Sequence, residues 1–477
     1  MPKRKARRTP PKVDPSLLAR HPSHSLPVVD AQQVRERILG GLFPRGFVAD
    51  MLGGAATPYR ERRLSIEVVV LCMLDFVLMR APSFLAIVDR LGAGKIPGVP
   101  EVEVSPQAFY RRLQKLPHQL FLDTLERASA ELDPSRRFVR RWVAELASFA
   151  NGVYAVDDTT LDALVRRNYM LKQHPKGSLE TLGGRLGCAL DLTTGLFAQL
   201  VYDADAAANE KSHVRPILGG LPVGSLVVID LGYFSFELFD WLTDEEKYFV
   251  TRMRAKTSFE VLKVLAEGSR YRDRIIWLGK HRADRAAHPV RYVELFVDGQ
   301  WLGYVTNVLE PSRLNAKQVW SLYAMRWTIE MAFSTIKRSL GMAYLRPTGR
   351  NAMLTQIWST LMVYQLMQSL RLEVASSLDW KEDEISWEML MRRVGWYAEE
   401  LPPIPLNQWL CSQAKKLNLK KRGVRQRRRS ELPDDVLAQA LPPPPDPEFD
   451  NVPIRKGRQG DPHPLKSPEE LVVGRLS

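Results

Sequence analysis

The sequence predicts an α/β protein: a mixed β-sheet flanked by helices, carrying a β-rich insertion and preceded by a helical N-terminal region. Three observations carry this expectation. Apolar residues recur at three- and four-residue spacing from about residue 31 to 146, the period of a helix face. The period changes to strand-like alternation near residue 150, beginning with GVYAVDDTT over 152–160. Helical spacing then returns at Ala316 and runs, with breaks, to about residue 372.

The elements follow in order. Residues 1–30 are rich in Pro, Ser and basic groups and read as a flexible basic arm. Helices are predicted over 31–39, 66–80, 82–91, 106–116 and 118–132, and together 31–146 form the helical region expected to bind DNA. Ser105 before Pro106 has the pattern of an N-cap followed by Pro at the first helical position. The helix that follows, SPQAFYRRLQKL, puts Arg111, Arg112 and Lys115 on one side. Such a helix can enter a DNA groove or simply present a solvated basic face.

Strands are predicted at 152–160, 185–192, 196–202, 226–230 and 248–252, with TTG as a turn between the second and third. A helical stretch ending near 218 and a helix over 234–242 separate the later ones. Residues 254–308, with RIIWLG, VRYVELFVDG and WLGYVTNV, read as the β-rich insertion. MLTQIWSTLMVYQLMQSL reads as a packing helix, and 377–410 as one or two more helices. One α/β domain is thus expected over 147–410, and 411–477, basic and Pro-rich, as a disordered tail.

Composition narrows the class. Of 477 residues, 45% are hydrophobic, which excludes a chain disordered throughout. Cys72, Cys188 and Cys411 lie too far apart for a disulfide framework or a close-set zinc site and suggest a reducing compartment. The longest apolar run, 66–79, is broken by Glu67 and Asp75 and is too short to span a bilayer. MPKRKARRTPPK is not followed by an apolar stretch, so no signal peptide is expected. The net charge is +14, yet residues 1–12 hold six basic groups and 415–429 hold nine, with no acid in either; +14 less +15 leaves the remainder at −1. Two basic arms on a nearly neutral body suit a polyanionic partner.

The segment SLYAMRWTIEMAFSTIKRSLG carries the chemistry. Tyr323, Arg326, Glu330 and Lys337 fall within an arc of about 60° on a continuous helix, while apolar residues fill the other faces. A plain Arg326–Glu330 surface ion pair would explain neither Tyr323 nor Lys337. Two aspartates stand at predicted strand ends: Asp157 in YAVDDTT and Asp230 after LVVI. Two strand-end aspartates and a helical glutamate can bind two divalent cations for an in-line phosphoryl transfer, and oxygen-only ligands suit Mg²⁺ or Mn²⁺. Of the adjacent pair Asp157 and Asp158, only one can face the metals, because neighbouring strand residues point oppositely; Asp157 is taken as that one. His174 and His213 lack partners at metal-ligand spacing and read as surface residues. Arg252 closes the strand YFVTR, placed either to face a nucleic acid in the cleft or to form an ordinary salt bridge.

The pattern Y-x2-R-x3-E-x6-K, met by Tyr323, Arg326, Glu330 and Lys337, resembles the signature of the IS4 family of insertion-sequence transposases. The DxGY element (Asp230, Gly232, Tyr233) and VDDTT (Asp157, Thr159) are similar to that family as well. The resemblance covers about 30–410 and implies an RNase H-like DDE transposase, with Asp157, Asp230 and Glu330 as the metal-binding catalytic triad. Tyr323, Arg326 and Lys337 would then grip phosphates at the transposon end. Some members flip a base onto an insertion-domain tryptophan; Trp301 is the nearest candidate, with a core position as its alternative. The resemblance further implies double-stranded DNA ends and target as partners, a homodimer in a synaptic complex, and a prokaryotic, nucleoid-associated cytoplasmic location without membrane contact. Two rival readings are a nuclease of the same fold without strand transfer and a catalytically idle, transposase-derived DNA-binding protein.

Overall fold

The computed structural model describes residues 64–96, 99–132, 139–161, 183–206, 210–280, 283, 285–342, 345–347, 349–400, 404–421, 432, 436 and 471–476. The expected arm over 1–30, the helix over 31–39, His174 and most of the basic, Pro-rich tail lie outside them.

The N-terminal helices start where the sequence places caps. In α1 (Ile66–Leu78), Ser65 Oγ accepts from Val68 N; in α2 (Phe84–Gly92), Ser83 Oγ accepts from Ala86 N; in α3 (Pro106–Lys115), Ser105 Oγ accepts from Ala108 N. Each cap satisfies an amide that the first helical turn leaves free. Helices α4 (Gln119–Leu132) and α5 (Arg141–Leu146) lead to the first strand.

Ten strands form one sheet in the order β10-β3-β2-β1-β4-β5-β9-β8-β7-β6. They are β1 (Val153–Thr160), β2 (Arg185–Asp191), β3 (Phe197–Asp203), β4 (Leu226–Ile229), β5 (Tyr248–Arg252), β6 (Phe259–Glu267), β7 (Tyr271–Leu278), β8 (Val290–Val297), β9 (Gln300–Thr306) and β10 (Leu471–Arg475). Strands β1, β2 and β3 are antiparallel neighbours, while β1, β4 and β5 run parallel. The order β3-β2-β1-β4-β5 with this mix of senses is the RNase H-like sheet. Helix α6 (Glu210–Gly219) and helix α7 (Phe236–Asp244) make the crossovers into β4 and β5 and cover one face of the sheet. The β-rich insertion is β6 to β9, and it does not hang apart: β9 pairs with β5 through Val250↔Thr306 and Arg252↔Tyr304, continuing the same sheet.

The opposite face holds the larger core. It is built on α10 (Arg350–Ser377), a helix buried along nearly its whole length, with Trp358, Leu361 and Leu354 fully enclosed. Gln365, buried within it, bonds the backbone of β3: its Oε1 accepts from Phe197 N at 3.0 Å, and its Nε2 donates to Phe197 O at 2.9 Å. Residues of α1, α3 and α4 (Val69, Phe109, Leu125) belong to this same core, so the N-terminal region and the sheet domain are not separated at residue 146 by a gap between cores. Asn351 fastens them further, accepting from His118 N at 2.8 Å and donating to Gln114 O at 2.9 Å. Helices α11 (Trp387–Glu400) and α12 (Leu406–Ser412) complete this side.

Two expectations are corrected. The segment 321–341 is not one continuous helix: it divides into α8 (Ala316–Met325), α9 (Trp327–Ser334) and a π-helical turn, Thr335–Ser339. At the junction, Arg326 N donates to Tyr323 O and Ile329 N to Arg326 O, tight three-residue bonds that break the regular ladder. The tail is not disordered throughout, because Leu471–Arg475 pairs with β3 (Val472↔Tyr202, Gly474↔Leu200) and covers what would be an open edge. Among the described residues no helix is long and apolar enough to cross a membrane.

Candidate active site

Strands β1, β4 and β5 are parallel, so their C-terminal ends share one edge of the sheet. Val156 pairs with Ile229, so Asp157 and Asp230 are the next residues of two neighbouring strands, whose spacing is about 4.8 Å. Alternation then decides direction. Val153 and Ala155 face the α10 side, and Asp157 follows that phase; Tyr154 and Val156 face the α6–α7 side, and Asp158 follows them.

Helix α9 crosses the edge on the α10 side and supplies the rest. Arg326 is buried, 7% exposed, and its guanidinium meets all three carboxylates. Nη1 lies 2.7 Å from Glu330 Oε1 and 3.8 Å from Asp157 Oδ2, and Nε lies 3.4 Å from Asp230 Oδ1. The Arg326–Glu330 pair read as a bland alternative is therefore present, but as one arm of a three-carboxylate cluster. The acid side chains are 20% (Asp157), 32% (Glu330) and 40% (Asp230) exposed, so they stand between the arginine and solvent.

Three more expected residues join them. Tyr323 OH donates to Asp230 Oδ1 at 3.5 Å, the far end of hydrogen-bond range, and its ring packs 5.3 Å from Tyr304. Lys337 Nζ donates to Thr160 O at 2.7 Å, tying the π turn to the end of β1. Such a turn widens the helix by one residue and aims a side chain off the regular stripe. Arg252 closes β5 beside Tyr304, and its Nε makes no hydrogen bond.

Trp301 does not join this group. It shares the alternation phase of Val305, whose side chain lies in the core under α6 and α7, whereas Tyr304 faces α8. The residue is 37% exposed, and its ring lies 5.4 Å from Phe296 and carries the Arg272 guanidinium 4.3 Å above it. This corrects the core alternative for Trp301 while leaving it on the sheet face opposite α9.

Electrostatics follow from burial. Desolvation pushes the Asp157 carboxyl from 3.8 up to about 7, helped by Asp158 and Asp230, although Asp158 N and Arg326 favour its charged form. Burial and the neighbouring Asp230 push the Tyr323 phenol up to about 12, so it remains a proton donor. Burial opposes charge on Arg326, but Asp230, Tyr323 and Glu330 outweigh it and hold it cationic. The donor set is carboxylate oxygen alone, which suits a hard divalent cation. Among the described residues no three His, Cys, Asp or Glu stand as a ready metal-binding group.

Behind β1 the structure reveals residues the sequence reading missed. His213, expected at the surface, is fully buried: its Nε2 is 2.9 Å from Asp203 Oδ2 and its Nδ1 3.8 Å from Asp158 Oδ2. Arg185 grips Asp158 with Nε at 2.6 Å and Nη2 at 2.8 Å. The one local signal was the second acid in VDDTT, which must point away from the first.

Residues 149–366 match the family model described as Transposase DDE domain. "Transposase InsG for insertion sequence element IS4" from Escherichia coli (strain K12) is 22% identical over 332 residues, covering 67% of this chain and 72% of that protein. "Putative transposase y4zB" from Sinorhizobium fredii (strain NBRC 101917 / NGR234) is 24% identical over 193 residues, 36% of this chain and 53% of that one. Among solved structures, a piggyBac transposase synaptic complex with hairpin DNA aligns over 86% of this chain and 89% of its own, at 9% identity and a TM-score of 0.35.

Proposed function

We propose that the protein, whose residues 149–366 match the transposase DDE domain family model, is an IS4-type transposase that cleaves insertion-sequence ends and joins them to target DNA by phosphoryl transfer at Asp157, Asp230 and Glu330. The observation that carries the reading is the meeting of three carboxylates, remote in sequence, around one buried guanidinium at the C-terminal edge of the parallel strands.

In this reading Asp157, Asp230 and Glu330 hold two divalent cations, Mg²⁺ or Mn²⁺. Bound there, the cations supply charge to the attacking and leaving oxygens of an in-line displacement. Arg326 is the counter-ion of the metal-free site and turns to a DNA phosphate when the carboxylates are otherwise neutralised. Tyr323, protonated at any physiological pH, donates to a phosphate oxygen beside Asp230. Lys337, held by the Thr160 carbonyl, and Arg252, at the end of β5, contribute positive charge along the same edge. Trp301 offers an aromatic face for an unstacked base at the margin of the insertion. The partners are double-stranded transposon ends and target DNA, engaged by a homodimer in a synaptic complex, in the nucleoid-associated cytoplasm of a prokaryote.

A nicking assay on supercoiled plasmid carrying the element's ends tests the reading. Glu330→Gln keeps shape but loses charge, and is expected to abolish Mg²⁺-dependent end cleavage while leaving end binding within about twofold; full cleavage would refute the assignment. The rival reading is an idle, transposase-derived DNA-binding protein. Binding without nicking by the unaltered protein would select it. Precut ends that are never joined would instead indicate a nuclease of the same fold.

A further inference from the structure

We propose that Asp158, Arg185, His213 and Asp203 form a buried clamp that positions the Asp157 carboxylate, with His213 as its keystone. The proposal rests on the reading of Asp157 as a catalytic carboxylate and concerns residues that never touch substrate.

The geometry comes from three adjacent strands and one helix. Asp158 is the residue after Asp157 on β1, Arg185 begins β2, and Asp203 ends β3; Arg185 pairs directly with Thr160 on one side and with Asp203 on the other. All four side chains gather on the α6 face, with Arg185 bidentate on Asp158 and His213 reaching from α6 between Asp158 and Asp203. The side chains of Asp158 and Asp203 are each 3% exposed and that of His213 is 0% exposed. A buried carboxylate is costly unless it is paired and hydrogen-bonded, and His213 lies against both Asp158 and Asp203. Burial pulls the His213 imidazole down, but Asp158 and Asp203 outweigh it and hold it protonated above its ordinary range.

Gly187 makes the arrangement sterically possible. It sits opposite Asp158 in the ladder, and a Cβ there would stand 2.8 Å from Ile217 Cδ1 and 3.6 Å from His213 Cβ. Any larger residue would have to displace the tip of the Ile217 side chain, which α6 packs beside His213. The consequence lies on the other face. With Asp158 fixed from behind, the β1 backbone at that point cannot roll, and Asp158 N donates to Asp157 Oδ1 at 2.8 Å. The clamp therefore holds both the strand phase and one oxygen of Asp157. Groups that orient a metal-binding carboxylate in this manner typically change metal affinity or turnover 10–100-fold when removed.

The experiment compares His213→Gln, Asp158→Asn and the paired neutral variant His213→Gln/Asp203→Asn in the full chain, with Asp157→Asn alongside. Mg²⁺ titrations of plasmid nicking give the half-saturating Mg²⁺ concentration and the maximal rate. Fluorescence anisotropy gives binding of end DNA, and circular dichroism with thermal melting reports folding. The clamp variants are expected to raise half-saturating Mg²⁺ about tenfold or more, with end binding unchanged and rate partly recovered at high Mg²⁺. Asp157→Asn is expected to be inactive at every Mg²⁺ concentration. If a single variant does not fold, the paired neutral variant, which keeps a hydrogen bond without the charges, supplies the measurement. A folded clamp variant with wild-type Mg²⁺ dependence and rate overturns the proposal. Full activity of Asp157→Asn overturns the reading of the site itself, a distinct outcome.

Discussion

Arg326 shows how one side chain can organise a site. Three carboxylates at one sheet edge repel one another, and the guanidinium among them offsets that repulsion while remaining buried beneath them. Asp157 nevertheless keeps a raised pKa, about 7 against 3.8, because burial outweighs Arg326. The sign for stability follows. Between about 4 and about 7 the unfolded chain releases this proton while the folded state still binds it, so the contribution of Asp157 to stability is present at low pH and lost as pH rises through that window. The metal-free melting temperature of wild type, relative to Asp157→Asn, is expected to fall from pH 4 to pH 7 and level off above. A difference that stays flat with pH would show that Asp157 is not desolvated. At this scale the sequence already marked Asp157, Asp230, Glu330, Tyr323 and Lys337, because acids following apolar strand runs and helix stripes are local patterns, although Asp157 lies inside β1 rather than at its end. It did not mark His213 as buried, since both of its partners come from strands that only the folded sheet brings beside α6.

At the scale of elements, α10 carries the most consequence. It packs against the sheet on one side and α1, α3 and α4 on the other, so a void within it is felt by both layers. Trp358 is fully enclosed, with Tyr202 edge-on at 6.2 Å. Trp358→Ala is expected to cost about 3–5 kcal/mol, read as a lower urea midpoint with one cooperative transition. Two separate transitions would mean that the N-terminal helices have a core of their own. The α8–α9 segment teaches a related lesson. Its polar stripe was legible as a period, yet the break at Arg326 and the π turn at Thr335–Ser339 were not, because both are imposed by what the side chains reach. Lys337 bonds to the β1 terminus, and Arg326 to groups on two strands.

For the molecule as a whole, one sheet of ten strands joins the RNase H-like order to the insertion and to a strand from the end of the chain. Strand β10 lies against β3 with Gly474 close to Leu122 and Leu200, which would meet any Cβ at 2.9 and 3.0 Å. Deleting 471–477 uncovers a long apolar edge and is expected to lower the melting temperature and raise light scattering on standing. Unchanged behaviour would make β10 dispensable. The pairing was not legible beforehand because VVG in a polar tail is too short to signal a strand by alternation, and its partner lies some 270 positions earlier.

The amino-acid order alone marked most of the helices and strands, the insertion, and which family the Tyr-Arg-Glu-Lys spacing resembles; it placed Asp230 just past a strand, whereas Asp157, expected at a strand end, lies inside β1. Those properties are periodic and short-ranged. Folding alone decided that Arg326 sits among three carboxylates, that Trp301 lies across the sheet from α9, that His213 is sealed behind Asp158, and that the tail closes an edge. Each of these depends on register and approach between elements far apart in the chain, and no local pattern encodes the distance between two surfaces that meet only once the core has packed.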